Sequence, residues 1–278
     1  MRTRIAPTPS GYLHVGNAFN FLVTAELVRT FGGTLVLRVD DLDQERVRPE
    51  YIEDVFRSLA WLGIQPDEGP SGPEQLRRDR SQLLRMERYA HLVDELRSNG
   101  HLYPCSCSRA ERERQRTGAH RCRTQETGRV AAGTPWRLRV PEPCPVEWSE
   151  WGGATSQVEL STALPDPVIV QRGSGRPAYQ VASLVDDLDM GIDHVVRGAD
   201  LIPSTACQCY LARILERPAF QAIRFLHHPL ATDATGRKLS KSAGDTSLRS
   251  MREAGSSPEP LKDEAKAYVA AFLTRVTG

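Results

Sequence analysis

The sequence lacks long apolar runs and carries almost no net charge. No segment approaches the roughly 18 consecutive apolar residues of a membrane-spanning helix. The first residues, MRTRIAPTPSG, have no apolar core of the signal-peptide kind. Charged residues make up 26% of the 278, yet they cancel to a formal charge of +1, so no strong overall field favours one class of partner. We therefore expect a soluble, cytoplasmic, monomeric protein with no membrane partner.

Cysteine is also scarce, and the sequence has no internal repeat. Six cysteines in a chain of this length, without an export signal, indicate reduced thiols rather than a disulfide framework. Cys144, Cys207 and Cys209 have no chemical context in the sequence and are expected to be packing residues. A hydrophobic fraction of 40% is typical of a globular protein.

Apolar periodicity predicts alternating strands and helices in the first hundred residues. Strands are predicted at 3–6 and 34–39, and helices at about 17–31, 49–62 and 80–98. A strand–helix–strand–helix order is typical of a parallel α/β sheet. The predicted fold class is therefore α/β.

The middle of the chain has a different character. Its short β-like pieces, prolines and many arginines indicate an insertion between two halves of the sheet. The α/β pattern returns near residue 177, where HVVRGADL and RFLHHPL are predicted strand-to-loop segments, and the tail at about 258–276 forms at most one amphipathic helix. We predict four parts, at residues 1–102, 103–175, 176–245 and 246–278.

A first motif, APTPSGYLHVGNA, follows the first predicted strand. Its prolines stiffen a turn, and Gly11 and Gly16 allow the backbone to approach a ligand closely. His14 precedes a predicted helix whose free N–H groups and dipole favour an anion. Taken alone, such a turn is more often structural.

A second motif, GRKLSKSAGD, lies near the end of the chain. Lys238 and Lys241 are three residues apart, so both can face one ligand, and Gly236 and Gly244 allow the loop to move. Such a loop can close over a triphosphate and neutralise the charge of a leaving pyrophosphate. The alternative is a solvated basic turn.

Together the two motifs resemble those of the class I aminoacyl-tRNA synthetases. HVGN at 14–17 is similar to the first signature of that family, and KLSKS at 238–242 to the second. Further matches narrow the resemblance to the glutamyl branch, namely RIAPTPSGYLHVGNA, LRVDDLD, AYQVASLVDD and HVVRGADLIPST. The resemblance implies a Rossmann-type parallel sheet with an inserted mixed α/β subdomain and a short helical C-terminal part.

The resemblance also implies a substrate and an acceptor. A glutamyl-tRNA synthetase would continue into a helical anticodon-binding domain, and only about 30 residues follow the second motif. The chain thus resembles the truncated paralogues, the glutamyl-queuosine tRNA(Asp) synthetases, which use ATP with Mg²⁺ to activate L-glutamate and transfer it to the queuosine base in the anticodon of tRNA(Asp). Two alternatives stay open: a related adenylating enzyme with a non-tRNA acceptor, and a non-catalytic RNA-binding paralogue.

The family resemblance assigns roles to individual residues. Catalytic phosphate stabilisation falls to His14 and Lys241, with Lys238 supporting. ATP binding falls in addition to Gly16, Asn17, Ser240 and Ser242. Glutamate binding falls to Arg4, Thr8, Asp40, Tyr179 and Arg197.

Asp40 departs from the family pattern. Relatives usually carry a glutamate at this third position of LRVDDLD, where it accepts the substrate ammonium, and Asp40 is one methylene shorter. The carboxylate of the substrate side chain, by contrast, needs a bidentate guanidinium, which Arg4 and Arg197 supply in this interpretation. A structural ion pair is the alternative role for Arg197.

The predicted insertion carries a second candidate site. Cys105, Cys107 and Cys122 form C-x-C-x14-C where the family often binds structural zinc. The family's usual fourth ligand is a tyrosine four residues before the last cysteine, and that position is Gly118 here. His120 is the natural substitute and His101 a weaker one, whereas the alternative is a set of merely reduced thiols.

Basic residues are concentrated in the same insertion. Nine arginines lie between 109 and 139 against three glutamates, so this region has a local surplus of positive charge. It is a candidate RNA-backbone contact. A solvated basic face is the alternative.

Overall fold

The computed structural model describes residues 1–108, 110–111, 121–124, 130–229 and 247–277. Its strands are β1 Arg2–Ile5, β2 Thr34–Leu37, β3 Leu102–Pro104, β4 Trp136–Leu138, β5 Pro145–Glu150, β6 Thr155–Glu159, β7 Val168–Val170, β8 His194–Gly198 and β9 Arg224–His228. Its α-helices are α1 Val15–Phe31, α2 Pro49–Leu62, α3 Pro73–Gln75, α4 Met86–Ser98, α5 Arg121–Thr124, α6 Leu160–Ala163, α7 Tyr179–Asp189, α8 Ile202–Ile214, α9 Pro218–Gln221, α10 Leu248–Glu253 and α11 Glu259–Thr277.

Parallel strands form the framework, as predicted. β1 pairs with β2 in parallel, and β8, β9 and β5 pair in parallel in a second run that β6 extends antiparallel. The two runs meet where the Asp193 N–H donates to the Arg2 carbonyl at 3.0 Å. β5 lies within the predicted insertion 103–175, so part of that segment belongs to the main sheet. The mixed α/β fold with a parallel sheet is thus confirmed.

A separate antiparallel sheet, β3–β4–β7, stands beside this framework. Its buried hydrogen bonds converge on Asp166: the Tyr103 hydroxyl donates to Asp166 Oδ2 at 2.6 Å, and the Val140 N–H donates to Asp166 Oδ1 at 3.0 Å. Buried polar groups are costly unless they are hydrogen-bonded. Asp166, which precedes β7, therefore links that segment to β3 and to the residues that follow β4.

The predicted helix at 49–62 is observed at those bounds, and the predicted tail helix appears as α11, packed against α1 through Phe19 and Tyr268. The predicted helix at 80–98 is broken at its start, since α4 begins only at Met86. Ser81 is extended, and its hydroxyl donates to Asp41 Oδ2 at 2.6 Å while accepting from the Leu83 N–H. A tertiary contact therefore overrides helical periodicity here.

Gly69 occupies a tight position beside β2. Its φ is +114°, and a Cβ at this position would lie 2.3 Å from the Leu37 carbonyl oxygen. The preceding residues run alongside the strand, because Leu37 donates its N–H to the Glu68 carbonyl at 2.8 Å. A side chain here would break that pairing. Within the described ranges, no helix is long and apolar enough to cross a membrane.

Candidate active site

The candidate site lies at the carboxyl ends of the parallel strands. Arg4 and Arg197 are close to the ends of β1 and β8, and the turn after β1 leads into α1. Backbone pairing brings the next segment to the same edge, because the Asp40 N–H donates to the Pro7 carbonyl at 2.9 Å. Ligands in open α/β sheets bind at this edge.

The first motif forms the capped start of α1. His14 Nδ1 accepts from the Gly16 N–H at 3.1 Å, and the His14 N–H donates to Asn17 Oδ1 at 3.1 Å. Any Cβ on Gly16 would lie 3.0 Å from His14 Cε1, so the glycine lets the imidazole rest on the first turn. The N-terminus of this 17-residue helix has no acidic residue in its first turn, which suits an anion.

The second motif lies outside the described residues, including Lys238, Ser240, Lys241 and Ser242. The residues that flank it attach near α1. His228 Nε2 is 3.0 Å from Asn20 Oδ1, and Ser247 pairs with His14 in an isolated bridge. The Leu248 N–H donates to the Leu13 carbonyl at 2.8 Å. The described residues on either side of the undescribed segment, His228 and Ser247, therefore both lie beside α1.

A buried network of ion pairs occupies the floor of the site. Arg4 Nε donates to Asp187 Oδ1 at 2.9 Å, and Arg38 Nη1 donates to the same oxygen at 2.7 Å. Arg38 also donates to both carboxylate oxygens of Asp40, at 2.6 and 3.3 Å. Burial raises the pKa of Asp187, but Arg4, Arg38 and Arg197 outweigh it and lower that pKa below its ordinary value. Asp187 is thus paired with Arg4 and Arg38, and it attracts Arg197 from beyond salt-bridge distance.

Asp40 is held on two sides. Besides Arg38, the Gln82 amide donates to its Oδ1 at 3.2 Å and to Asp186 Oδ2 at 2.9 Å. Asp186 in turn accepts from the Tyr89 hydroxyl at 2.9 Å. The shorter side chain at position 40 is therefore part of an internal network, and both of its oxygens have partners within the protein.

Arg197 differs from the other buried cations. Its side chain is 2% exposed, and its Nη1 donates to Thr205 Oγ1 at 3.2 Å and to Gln208 Oε1 at 2.9 Å. Its Nε and Nη2 have no hydrogen-bond partner among the described residues. Burial lowers the pKa of Arg197, Tyr179 and Asp187 oppose this, and repulsion from Arg4 adds to it. The Nε–Nη2 edge is the kind of edge that binds a carboxylate in a bidentate manner.

The remaining predicted glutamate ligands lie around this floor. Tyr179 is the first residue of α7, is half-buried, and interacts electrostatically with Arg197. Thr8 is exposed and follows Pro7, whose carbonyl pairs with Asp40. The fold thus brings Arg4, Asp40, Tyr179 and Arg197 to the same end of the parallel strands, with Thr8 exposed beside them.

The three cysteines of the predicted metal site lie together. Their Sγ atoms are all within 4.8 Å of one another, and Cys107 and Cys122 are 3.6 Å apart. That distance exceeds the ~2.05 Å of a disulfide, and it is close to the ~3.8 Å between two sulfurs bound tetrahedrally at ~2.3 Å from zinc. Burial, with the neighbouring thiols of Cys107 and Cys105, raises the pKa of Cys122 to about 12. A bound cation reverses this balance because it stabilises thiolates.

A fourth metal ligand is not identified among the described residues. The thiol group contains Cys105, Cys107 and Cys122, and His101 is not part of it. His120 lies outside the described residues. Cys144, Cys207 and Cys209 are buried in the apolar core, as predicted for packing residues.

Three arginines of the predicted basic region serve the fold. Arg123 pairs with Asp166 at 3.3 Å, and Arg137 donates to the Asp166 carbonyl at 3.0 Å. Arg139 lies over the Tyr103 ring, 5.0 Å from its centroid. These side chains are engaged internally, which weakens the RNA-contact interpretation for them.

Comparison with known proteins decides the family. A model of the family described as "tRNA synthetases class I (E and Q), catalytic domain" matches residues 1–266. The chain belongs to this family. It is therefore a ligase of the class I aminoacyl-tRNA synthetase type.

Two curated relatives of this synthetase are informative. The chain is 39% identical over 259 residues to a glutamyl-Q tRNA(Asp) synthetase of Burkholderia orbicola, covering 89% of this chain and 82% of the relative. It is 37% identical over 274 residues to glutamate–tRNA ligase 2 of Acidiphilium cryptum, covering 92% of this chain but 58% of that one.

Among solved structures, a glutamate tRNA ligase of Elizabethkingia meningosepticum in complex with its amino acid is similar to this chain. The TM-score is 0.68 at 25% identity, over 88% of this chain and 52% of that one. The chain therefore spans about half of that ligase.

Sequence reasoning missed several members of this synthetase's buried network. Arg38, Gln82, Asp186 and Asp187 connect the predicted residues, yet none was assigned a role. The signal was present, because Arg38 belongs to LRVDDLD and the two aspartates end AYQVASLVDD. Gln82 had no such signal, since it reaches Asp40 and Asp186 only through the fold.

Proposed function

We propose that this synthetase activates L-glutamate with ATP as glutamyl-adenylate and transfers the glutamyl group to the queuosine base in the anticodon of tRNA(Asp). The observation that carries the amino-acid choice is the buried Nε–Nη2 edge of Arg197. Burying a cation without a full set of partners is costly. A carboxylate on the substrate side chain would supply those partners.

Activation joins two anions. An oxygen of the glutamate α-carboxylate attacks the α-phosphorus of ATP, the bond to the bridging oxygen breaks, and pyrophosphate leaves. The protein contributes placement and positive charge rather than covalent chemistry. In this proposal the start of α1 with His14, Gly16 and Asn17 receives the phosphates, and Lys238 and Lys241 stabilise the leaving pyrophosphate. Mg²⁺ accompanies ATP and neutralises part of its charge.

The substrate ammonium needs an acceptor, and Asp40 remains our proposed site for it. Its oxygens already bind Arg38 and Gln82. A carboxylate has about four lone-pair positions, so a further hydrogen bond is compatible with these partners. Arg4 and Tyr179 complete the pocket, and Thr8 lies at its entrance.

The acceptor proposal rests on the relatives. The chain is 39% identical over 259 residues to a relative named glutamyl-Q tRNA(Asp) synthetase, and that name supplies the proposed acceptor. In the transfer step, a hydroxyl of the modified base attacks the adenylate carbonyl, and AMP leaves. We also propose that Cys105, Cys107 and Cys122 bind structural zinc with His120 as the fourth ligand.

The test is incorporation of labelled glutamate into three purified RNAs: queuosine-containing tRNA(Asp), unmodified tRNA(Asp) and tRNA(Glu). We expect labelling of the queuosine form alone. Labelling of tRNA(Glu) would replace the proposed acceptor with the 3′ end of that tRNA.

A parallel assay of glutamate-dependent exchange of pyrophosphate into ATP separates the two steps. Exchange without labelling of any tRNA would keep the activation step and favour a non-tRNA acceptor. Absence of exchange with every amino acid would favour the non-catalytic paralogue.

A further inference from the structure

We propose that Thr205, His227 and Glu150 form a buried hydrogen-bond relay that positions the guanidinium of Arg197 for the substrate carboxylate. This inference rests on the proposed function, in which Arg197 binds the glutamate side chain. The relay begins at Arg197 Nη1, which donates to Thr205 Oγ1 at 3.2 Å. It continues from Thr205 Oγ1 to His227 Nε2 at 2.8 Å and from His227 Nδ1 to Glu150 Oε1 at 3.1 Å.

The relay runs across three neighbouring parallel strands. Arg197 on β8 is the register partner of His227 on β9, and Glu150 on β5 is the register partner of Phe225 on the same β9. Thr205 lies on α8, which follows β8. Groups held on strands and helices keep their geometry better than groups on loops. The relay therefore ties Arg197 to the rigid part of the sheet.

Aromatic rings hold the imidazole in the middle of the relay. His227 stacks on Phe225 at 6.0 Å with an interplanar angle of 9°, and the same Phe225 ring lies 5.3 Å from the Arg197 guanidinium carbon. Trp148 meets His227 edge-on and donates its Nε1–H to Glu150 Oε1 at 2.7 Å. The Thr205 residue is fully buried, and the His227 side chain is 5% exposed. Water therefore competes little for these hydrogen bonds.

Counting hydrogens fixes the role of Thr205. A guanidinium only donates, so Thr205 Oγ1 accepts from Arg197. The single hydroxyl hydrogen then goes either to His227 Nε2 or to the Leu201 carbonyl at 3.2 Å. In both cases the oxygen keeps Arg197 Nη1 occupied together with Gln208 Oε1. The Nε–Nη2 edge is thereby the one left for the substrate carboxylate in this proposal, whatever the protonation of His227.

The experiment compares Thr205→Val, which keeps the shape and removes the hydroxyl, with Thr205→Ser, which keeps the hydroxyl. Glutamate-dependent pyrophosphate exchange gives KM for glutamate and for ATP, with thermal unfolding measured on each variant. We expect Thr205→Val to raise the glutamate KM about tenfold to a hundredfold, with the ATP KM unchanged, as for loss of one hydrogen bond to a charged group. Thr205→Ser should stay within about threefold of the parent.

A second variant tests the relay if Thr205→Val does not fold. Glu150→Gln alters a side chain that is 20% exposed, so the fold should tolerate it. We expect a glutamate KM about threefold higher, again with the ATP KM unchanged, and Thr205→Val combined with Glu150→Gln should be no worse than Thr205→Val alone, because the two act in one chain.

Two results would overturn the relay. One is a lowered melting temperature with an unchanged glutamate KM in both variants, which would give these residues a purely structural role. The other is full additivity of the two changes. A parent protein whose exchange does not depend on glutamate would overturn the proposed function together with the relay, and this outcome is recognised before any variant is made.

Discussion

Replacing Arg197 with methionine should separate substrate binding from stability. The change removes the buried cation and keeps an apolar side chain of similar length. A carboxylate held by Nε and Nη2 would lose two charge-assisted hydrogen bonds of about 1.5–3 kcal/mol each. The sum of about 3–6 kcal/mol corresponds to a loss of roughly 10² to 10⁴ in kcat/KM for glutamate, since about 1.4 kcal/mol is tenfold.

Stability should change far less. The variant loses the hydrogen bonds from Arg197 to Thr205 and Gln208, at 3.2 and 2.9 Å. It also removes two buried guanidinium nitrogens that have no partner among the described residues, and with them the cost of burying them. Each of these terms is about 1–3 kcal/mol, and they oppose one another. We therefore expect the free energy of unfolding to move by less than about 2 kcal/mol.

The assay is amino-acid-dependent pyrophosphate exchange, with urea unfolding on the same samples. Arg213→Met is the control for removing an arginine that lies over an aromatic ring, because Arg213 lies over Tyr210 at 5.2 Å, is exposed and has no role in the proposed pocket. A folded Arg197→Met variant with kcat/KM for glutamate within about tenfold of the parent would refute the reasoning. So would an equal loss in the control.

Three further perturbations test other parts of the molecule. Gly69→Ala should lower the free energy of unfolding by at least about 2 kcal/mol, because φ is +114° and the new Cβ would lie 2.3 Å from a β2 carbonyl oxygen. The control is Gly72→Ala, whose Cβ would have no atom within 4 Å and which should be nearly neutral in urea unfolding. Equal effects of the two changes would contradict the argument. Cys107→Ser should abolish bound zinc measured by elemental analysis, whereas Cys144→Ala should retain it; zinc retained by Cys107→Ser would remove the thiol site. Burial lowers the pKa of His228 below the ordinary 6.5, so as the pH falls this histidine is protonated first in the unfolded chain. The free energy of unfolding should therefore be full above about pH 6.5 and decline below it. Urea unfolding of His228→Gln at several pH values should show a shallower decline than that of the parent.

Local patterns predicted two of the helices well. α2 and α11 are amphipathic and uninterrupted, and their predicted ranges match the structure closely. The predicted helix at 80–98 failed at its start because Ser81 bonds to Asp41, which is 40 residues away in sequence. Local helix propensity carries no information about so distant a partner.

For the pocket as well, the sequence predicted which residues take part but not how they pair with one another. The family resemblance predicted that Arg4, Asp40 and Arg197 serve one glutamate-binding pocket. The sequence could not show which of these residues has a partner within the protein. The partner of Arg4 is Asp187, which comes from a distant segment and also binds Arg38. The distinction matters, because among the described residues Arg4 has an aspartate partner and Arg197 has none within salt-bridge distance.

That difference predicts how strongly the pocket should reject glutamine. A glutamine side chain offers one carbonyl oxygen, but its amide nitrogen would face another N–H donor at the Nε–Nη2 edge of Arg197 and leave the buried charge uncompensated. Sites built to bond a polar substrate group reject analogues that cannot make the bond by about 10⁴ to 10⁵. We therefore expect kcat/KM in pyrophosphate exchange to favour glutamate over glutamine by at least about 10³. Arg197→Met should bring that ratio toward one by losing activity with glutamate, since the methionine presents no charge to either substrate. A parent ratio below about ten would mean that Arg197 binds something other than the side-chain carboxylate.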